Sequence, residues 1–522
     1  MGQSYLRSAA LLTGSSIALR LAGMAFRVHL AGALGGEGMG LYQLILAFYS
    51  VFITLATSGA AVAATRLVAE ELSRSTAAAR RMIRRLCAAA AGLGGTAGLL
   101  QYALAEPAAR WWLGDLRAAA SLRTLAPSLP FMAVSAVLRG AFVALRRVEP
   151  NVISQLVEQG FRIGAVTVML RRLQTAQLAV RCRAVVLGET VSELLSTGLM
   201  ILFYRRSCRR ELAAAPQPSA GGPPEQQRPW QRIWAVLWPV EGSRCLSSGL
   251  HTAENMLVPA CLAVHLAAQG GRAEALAQYG ALKGMALPLL SFPFSLLGSL
   301  ATLLMPEITR AQVTGQRRTL CTLLDRMLTL TMYAAMLGGV FFFVWAEPLA
   351  GLLYGSAQTG EYLRLLAPIA PVMYLESMVD GAIKGLGEQK AAFGYTAWDS
   401  MLRIAGVVAL LPRWGMHGFL LVMGWSNLFT CLLNTRRLLQ VSGLPPRPGR
   451  WLAAPGAAAA AALAAGQAAK TALSAQPLWL QVTAGGAAMG AAYLCAAWPL
   501  GLGAATAAAL RRKPKAAGQN AQ

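Results

Sequence analysis

Acidic residues are scarce in this chain: 22 Asp and Glu stand against 47 Lys and Arg in 522 residues, a formal charge of +25. Charge of either sign is scarce as well, at 13% of residues, roughly half of the ~25% usual in soluble proteins. Nucleic-acid-binding domains carry their basic charge over a normal soluble composition, so the pairing of +25 with 56% apolar residues and a mean hydropathy of +0.48 argues against that class. The eight cysteines are scattered with no C-x-x-C spacing, and the four histidines (His29, His251, His265, His417) lie far apart. Neither pattern supports a metal centre or a disulfide framework. No G-x-x-x-x-G-K-[ST] phosphate loop is present to use ATP, and no cofactor is expected.

What the chain has instead is apolar length. A membrane-spanning helix needs about 20 predominantly apolar residues. Such segments fall near 9–32, 41–65, 86–106, 122–145, 152–170, 182–204, 233–264, 277–304, 324–346, 362–384, 391–411, 416–435, 452–473 and 478–500. The reading is therefore an all-α polytopic membrane protein of about 14 spans, whose N-terminus is a retained span and not a signal peptide. Arginine marks alternate loops: 66–85, 205–232 and 436–450, with Arg511, Arg512, Lys513 and Lys515 in the tail. The positive-inside rule then places both termini in the cytoplasm. One connection breaks the pattern, with Arg171, Arg172, Arg181 and Arg183 on the predicted outer side.

A shift of 241 residues aligns two stretches without a gap. Ala105-Glu106-Pro107 meets Ala346-Glu347-Pro348, Gly114 meets Gly355, and Leu122-Arg123 meets Leu363-Arg364. Leu125-Ala126-Pro127 meets Leu366-Ala367-Pro368, and Arg162-Ile163 meets Arg403-Ile404 with Glu158 opposite Asp399. Proline, arginine and acid positions in one register indicate a duplication. Six predicted spans separate the copies, an even number, so the repeat is parallel and implies two six-helix lobes around a central cavity. The expected organisation is an N-terminal lobe (1–212, spans 1–6), a Pro/Gly/Gln-rich cytoplasmic linker (213–229) and a C-terminal lobe (230–440, spans 7–12). Spans 13 and 14 (441–510) and a basic cytoplasmic tail (511–522) complete it. Two lobes about a cavity suit alternating-access transport.

Charges inside spans are costly, about 2.5–3.5 kcal/mol each at mid-bilayer, and so face a partner or a wet cavity. Glu158–Arg162, Asp399–Arg403 and Asp380–Lys384 are spaced to pair one helical turn apart, and Glu241–Arg244 at three residues. The first two recur in both copies, which favours a structural role. Arg20, Arg27 and Lys283 have no acid within a turn, and Arg20 and Arg27 share a face of the first span. These three, with Arg244, are the candidate contacts for an anionic substrate, since guanidinium grips phosphate bidentately and ammonium acts as a point charge. Glu189–Glu193 and Glu376–Asp380 are acid pairs that could serve H⁺ or Na⁺ coupling.

Gly35-Gly36-Glu37-Gly38-Met39-Gly40-Leu41-Tyr42-Gln43 resembles the G-x-E-G-x-G-x-Y-Q turn of bacterial polysaccharide exporters. Leu55-Ala56-Thr57-Ser58-Gly59 running into Arg66-Leu67-Val68-Ala69-Glu70-Glu71 is similar to the stage V sporulation protein B family, as are Ser154-Gln155-x-x-Glu158-Gln159-x-x-Arg162 and Lys384-Gly385-Leu386-Gly387-Glu388-Gln389. The resemblance covers residues 5–445 and extends to the multidrug/oligosaccharidyl-lipid/polysaccharide (MOP) exporter superfamily, which includes the lipid II flippases. It implies a multi-pass protein of the bacterial cell membrane that is not an enzyme. Such a protein flips an undecaprenyl-diphosphate-linked saccharide, as a peptidoglycan precursor for cell wall or spore cortex, among membrane lipids. It also implies cavity-lining cations at the places of Arg20, Arg27, Arg244 and Lys283, and a lipid-tail groove beside spans 13 and 14. One departure is that the second span carries no mid-membrane Arg. The competing readings are a cation-coupled multidrug exporter of the same superfamily, a membrane glycosyltransferase, and a non-transport scaffold for sporulation or wall assembly.

Overall fold

The computed structural model describes residues 2–210, 229–268 and 270–503. The expected linker, apart from Pro229, and the basic tail lie outside them. Helix is the only regular element among the described residues: α1 (Gly2–Leu72), α2 (Thr76–Pro107), α3 (Arg117–Leu125), α4 (Ser128–Ala144), α5 (Glu149–Arg172), α6 (Leu178–Arg210), α7 (Pro229–His265) and α8 (Gly271–Tyr279). Then follow α9 (Leu287–Val313), α10 (Arg317–Tyr354), α11 (Ala357–Leu366), α12 (Ala370–Gly385), α13 (Gln389–Ser442), α14 (Ala454–Ala472), α15 (Leu478–Leu480) and α16 (Gly486–Ala497). Wide π-type turns extend several of them, at 108–112 after Pro107, at 280–286, and at 498–502 around Pro499. Proline removes a helix donor and so leaves room for such loosened turns.

Among the described residues, seven helices are long and apolar enough to cross a membrane by length and composition. Two of these, over 14–72 and 389–442, are double: backbone breaks at Gly35 (φ 71°) and Gly415 (φ 57°) divide each into two legs. The other expected spans are helical too, and some carry charge within them. α5 carries Glu158 and Arg162, and α7 carries Arg244 and Glu254. Large apolar side chains face outward, among them Leu99, Trp111, Trp238, Val264 and Leu432, while Glu158, Glu193, Glu254 and Asp399 are buried. Large apolar side chains on the outside as well as in the core suit a lipid solvent.

The chain forms two compact units, residues 1–280 with 407–415, and residues 281–406 with 416–522. In the first, α1 packs on α2, α4, α7 and α8. Its approach to α8 is backbone against backbone. A Cβ on Gly40 would lie 1.9 Å from the Leu276 carbonyl oxygen, and one on Gly280 would lie 2.1 Å from the Gly36 oxygen. The glycines of the G-x-E-G-x-G turn are therefore a helix-crossing device, as small residues are in membrane bundles. The seam between α1 and α7 is polar. Thr54 donates to Ser248 Oγ at 3.2 Å, and Thr252 donates to the Ala47 carbonyl at 2.9 Å. At its end Arg232 bonds Glu71 at 2.6 Å and Glu70 at 3.0 Å.

The break at Gly35 frees carbonyls of the preceding turn. Arg181 of α6 donates to one of them, Ala33 O, at 2.8 Å. This accounts for one of the arginines that broke the loop-charge pattern: it holds a bend.

The second unit repeats the first in detail. Arg123 bonds Glu106 at 2.8 Å and lies 5.7 Å over the Tyr102 ring, and 241 residues on, Arg364 bonds Glu347 at 3.1 Å and lies 5.5 Å over Phe343. Gly114 and Gly355 are both left-handed, with φ 59° and 62°. Arg146, the non-glycine residue with positive φ among the described residues, falls opposite left-handed Gly387. α14 and α16 pack together, α14 also packs against α10, and Tyr493 donates to the Tyr333 carbonyl at 2.6 Å.

Gly40→Ala should destabilise the protein by about 2 kcal/mol, the scale of an overpacked core, and lower its thermal midpoint in detergent. Gly32→Ala, where a Cβ meets nothing within 4 Å, should leave the midpoint in place. Equal midpoints for the two variants would remove the close crossing as the reason for the motif.

Candidate functional site

Three helices of the first unit converge on Glu158. It shares a face of α5 with Arg162, one turn on, and its Oε1 accepts from Arg162 Nη2 at 2.6 Å. Its other oxygen accepts from Arg139 Nη2 of α4 at 2.9 Å. α6 supplies the remaining partners: Arg139 Nη2 also donates to Ser196 Oγ at 3.2 Å, and Arg162 Nε donates to Ser192 Oγ at 3.4 Å. Arg162 Nη1 lies 3.9 Å from Glu189, and Glu193 lies against Glu158. Three carboxylates thus gather on two guanidinium groups. A third cation acts on them, because Glu189 and Tyr42 lie in the field of Arg27 from α1.

The second unit keeps the pair and changes its surroundings. Arg403 Nε lies 3.1 Å from Asp399 Oδ2, and Ser426 of α13's second leg bonds both. Lys384 Nζ sits 2.5 Å from Asp380, and Asn434 donates to Glu376 at 3.4 Å. Position for position, Asp380 stands where the first unit has Arg139, and Glu376 where it has Ser135. The three expected four-residue pairs therefore all form. For Glu241–Arg244, the Glu241 side chain lies outside the described residues.

The expected substrate contacts are distributed as follows. Arg20 and Arg27 lie on one face of the first leg of α1, Arg20 half-buried and Arg27 exposed. Among the described residues neither makes an ion pair with a carboxylate. Arg244 is exposed on α7, which packs against α1. Lys283 belongs to the second unit, on the π-type turn before α9, with Nζ 5.6 Å over the Phe419 ring. No three His, Cys, Asp or Glu side chains come together as a metal site among the described residues.

Sequence reasoning missed Arg139 as the second guanidinium on Glu158, and the serines that tie each cluster together. It also missed the role of Glu37. Arg117 Nη2 donates to Glu37 at 2.8 Å while gripping Asp115 through Nε and Nη2 at 2.7–3.0 Å. The Glu106–Arg123 and Glu347–Arg364 pairs did leave a signal, since both members stand in the aligned repeat.

The family model of the polysaccharide biosynthesis proteins matches residues 5–219. Stage V sporulation protein B of Bacillus subtilis (strain 168) is 25% identical over 449 residues, 84% of each chain. The chain is a relative of that protein. Sporulation protein YkvU of the same organism is 25% identical over 197 residues, covering 38% of this chain and 44% of its own. Among solved structures, the lipid II flippase MurJ in an inward closed conformation superposes with a TM-score of 0.71 at 13% identity, covering 94% of this chain and 98% of its own. An inward-facing multidrug resistance MATE family transporter of the MOP superfamily gives 0.61 at 13%, covering 82% and 96%. The resemblance read from the motifs is thereby shown. The fold is the one seen in these two solved membrane transporters.

Removing one member of a buried pair strands the other charge at a cost of about 3–5 kcal/mol. Glu158→Ala removes the acid that bonds both Arg139 and Arg162, leaving them Glu189 and Glu193 at longer range, and should lower the thermal midpoint sharply. Arg123→Ala, at a pair whose side chains are about half exposed, with relative exposures of 43% and 52%, should lower it little. The two midpoints measured side by side in detergent test the difference.

Proposed function

We propose that this protein flips a polyprenyl-diphosphate-linked saccharide, a peptidoglycan-type precursor, from the inner to the outer leaflet of the bacterial cell membrane by alternating access. One observation carries the reading: the first leg of α1 presents two arginines on one face, and Arg20 has no carboxylate partner among the described residues although it is half-buried. An unneutralised guanidinium in a membrane helix is expensive, and a diphosphate supplies the missing anion with bidentate geometry. Arg27, Arg244 and Lys283 join it as contacts. Glu158–Arg162 and Asp399–Arg403 serve as scaffold, because each is satisfied by its own cluster. Both termini and the linker lie in the cytoplasm. A gradient of H⁺ or Na⁺ or the membrane potential resets the cycle, and Glu376, whose described bond comes from the amide of Asn434, is suited to take up the coupling cation. The likeness to stage V sporulation protein B and to the MurJ fold supports the substrate class; spore cortex or cell wall is the destination.

Reconstituted protein should move labelled lipid II or a simpler polyprenyl-diphosphate sugar to the outer leaflet. Arg20→Ala/Arg27→Ala should reduce that movement at least tenfold while leaving the thermal midpoint near wild type. Intact translocation in the double variant removes these residues from the site. Drug-driven H⁺ or Na⁺ flux without precursor movement favours the cation-coupled multidrug exporter instead.

A further inference from the structure

The second unit contains a cleft of about 900 Å³ between the end of α10 and α11, lined by Phe343, Glu347, Gly351, Ala357, Glu361 and Arg364. We propose that this cleft holds the head of a phospholipid bearing both an ammonium and a phosphate group. The site is separate from the cations assigned to the transported substrate.

The two copies differ at this cleft. The matched positions of the first unit carry Arg110 where the second has Gly351, Leu116 where it has Ala357, and Ala120 where it has Glu361. The second copy thus has small side chains where the first has two bulky ones, and it has a carboxylate at the mouth. The scaffold beneath is unchanged, since the Glu347–Arg364 pair and the Arg364–Phe343 stack reproduce those of the first unit. Smaller side chains at the cleft, with a carboxylate at its mouth that the first copy lacks, suit a binding site.

Both signs of charge are present and separated. Glu347 is met by Arg364 at 3.1 Å and by Lys470 of α14 at 3.6 Å. This leaves two cations around one acid, with guanidinium and ammonium donors to spare for a phosphate. Glu361 has only the imidazole of His417, 3.8 Å away, among the described residues. Both side chains of this pair are more than half exposed, at 66% and 57%, so the carboxylate is open to an ammonium. The floor and walls are apolar, from Phe343, Leu365 and Pro368. Depth in the membrane is marked by α15, whose Leu478 lies 3.7 Å from where a Cβ on Gly351 would stand and whose neighbour Trp479 is 57% exposed. Exposed tryptophans gather at the headgroup level of a bilayer. A zwitterionic lipid head matches that depth, that charge pattern and the apolar walls together.

The test uses the full-length protein equilibrated with vesicles of equal phosphatidylethanolamine and phosphatidylglycerol, extracted in mild detergent and weighed by native mass spectrometry. Wild type should retain phosphatidylethanolamine at least fivefold over phosphatidylglycerol. Gly351→Arg/Ala357→Leu restores the first-unit side chains and should bring retention down to that of loosely held annular lipid. A Cβ at Gly351 meets Leu478 at an ordinary 3.7 Å, and an unchanged thermal midpoint confirms that this variant folds. Glu361→Gln, a surface change that fills nothing, should abolish the preference. Equal retention of both lipids by wild type, or an unchanged preference in Glu361→Gln, means annular lipid only and overturns the proposal.

Discussion

A carboxylate inside a helical membrane bundle must be met by a cation, and much of this molecule is arranged around that requirement. Water cannot solvate Glu158 where α4, α5 and α6 meet, so guanidinium groups from two helices take its two oxygens. The Arg162 bond stays within α5 but the Arg139 bond crosses to α4, so the charge joins two elements that apolar contact alone would hold loosely in lipid. Asp399 plays the same part with Arg403 and Ser426. Serines fill the remaining donor and acceptor positions because they are small enough to sit between closely packed helices.

The duplication separates what this architecture needs from what it tolerates. The Glu106–Arg123 pair with its stacked aromatic ring survives in the second copy as Glu347–Arg364 with Phe343. Ring identity changes from Tyr to Phe, but the charge geometry does not. Around the central acid–arginine pair, by contrast, Arg139 has become Asp380 and Ser135 has become Glu376. The first unit gathers three acids on arginines of neighbouring helices, whereas the second keeps Asp380 with a lysine on its own helix. A pair made within one helix is insensitive to how its neighbours pack, so the second cluster is free to carry a different load of charge.

Patterns within one helix were legible in the sequence, and those between helices were not. Four-residue spacings announced Glu158–Arg162, Asp399–Arg403 and Asp380–Lys384, and all three pairs formed. The 241-residue register announced which contacts would recur. Arg139–Glu158, 19 residues apart on different helices, depends on a crossing that no local period encodes. Gly40 and Gly280 were visible as glycines, but only packing shows that each lies against the other's helix backbone. The outer-side arginines looked anomalous because topology rules count charges by loop. Arg181 answers to a backbone carbonyl instead, and that need appears only once the chain is seen to break at Gly35. Arg20, Arg27 and Lys283 were singled out for lacking acids nearby in sequence, and Arg244 was added beside them. That criterion reads spacing along one helix but not the direction in which a side chain points.

The bend at Gly35 also sets a lever. Arg181 anchors the chain just before the break, whereas Arg20 lies 15 residues back along the first leg, about 22 Å at 1.5 Å per residue. Arg27 is about 12 Å from the same point. A ten-degree tilt of the leg about this fulcrum would carry Arg20 through about 4 Å and Arg27 through about 2 Å. Two guanidinium groups on one rigid rod would therefore move through unequal distances, Arg20 about twice as far as Arg27.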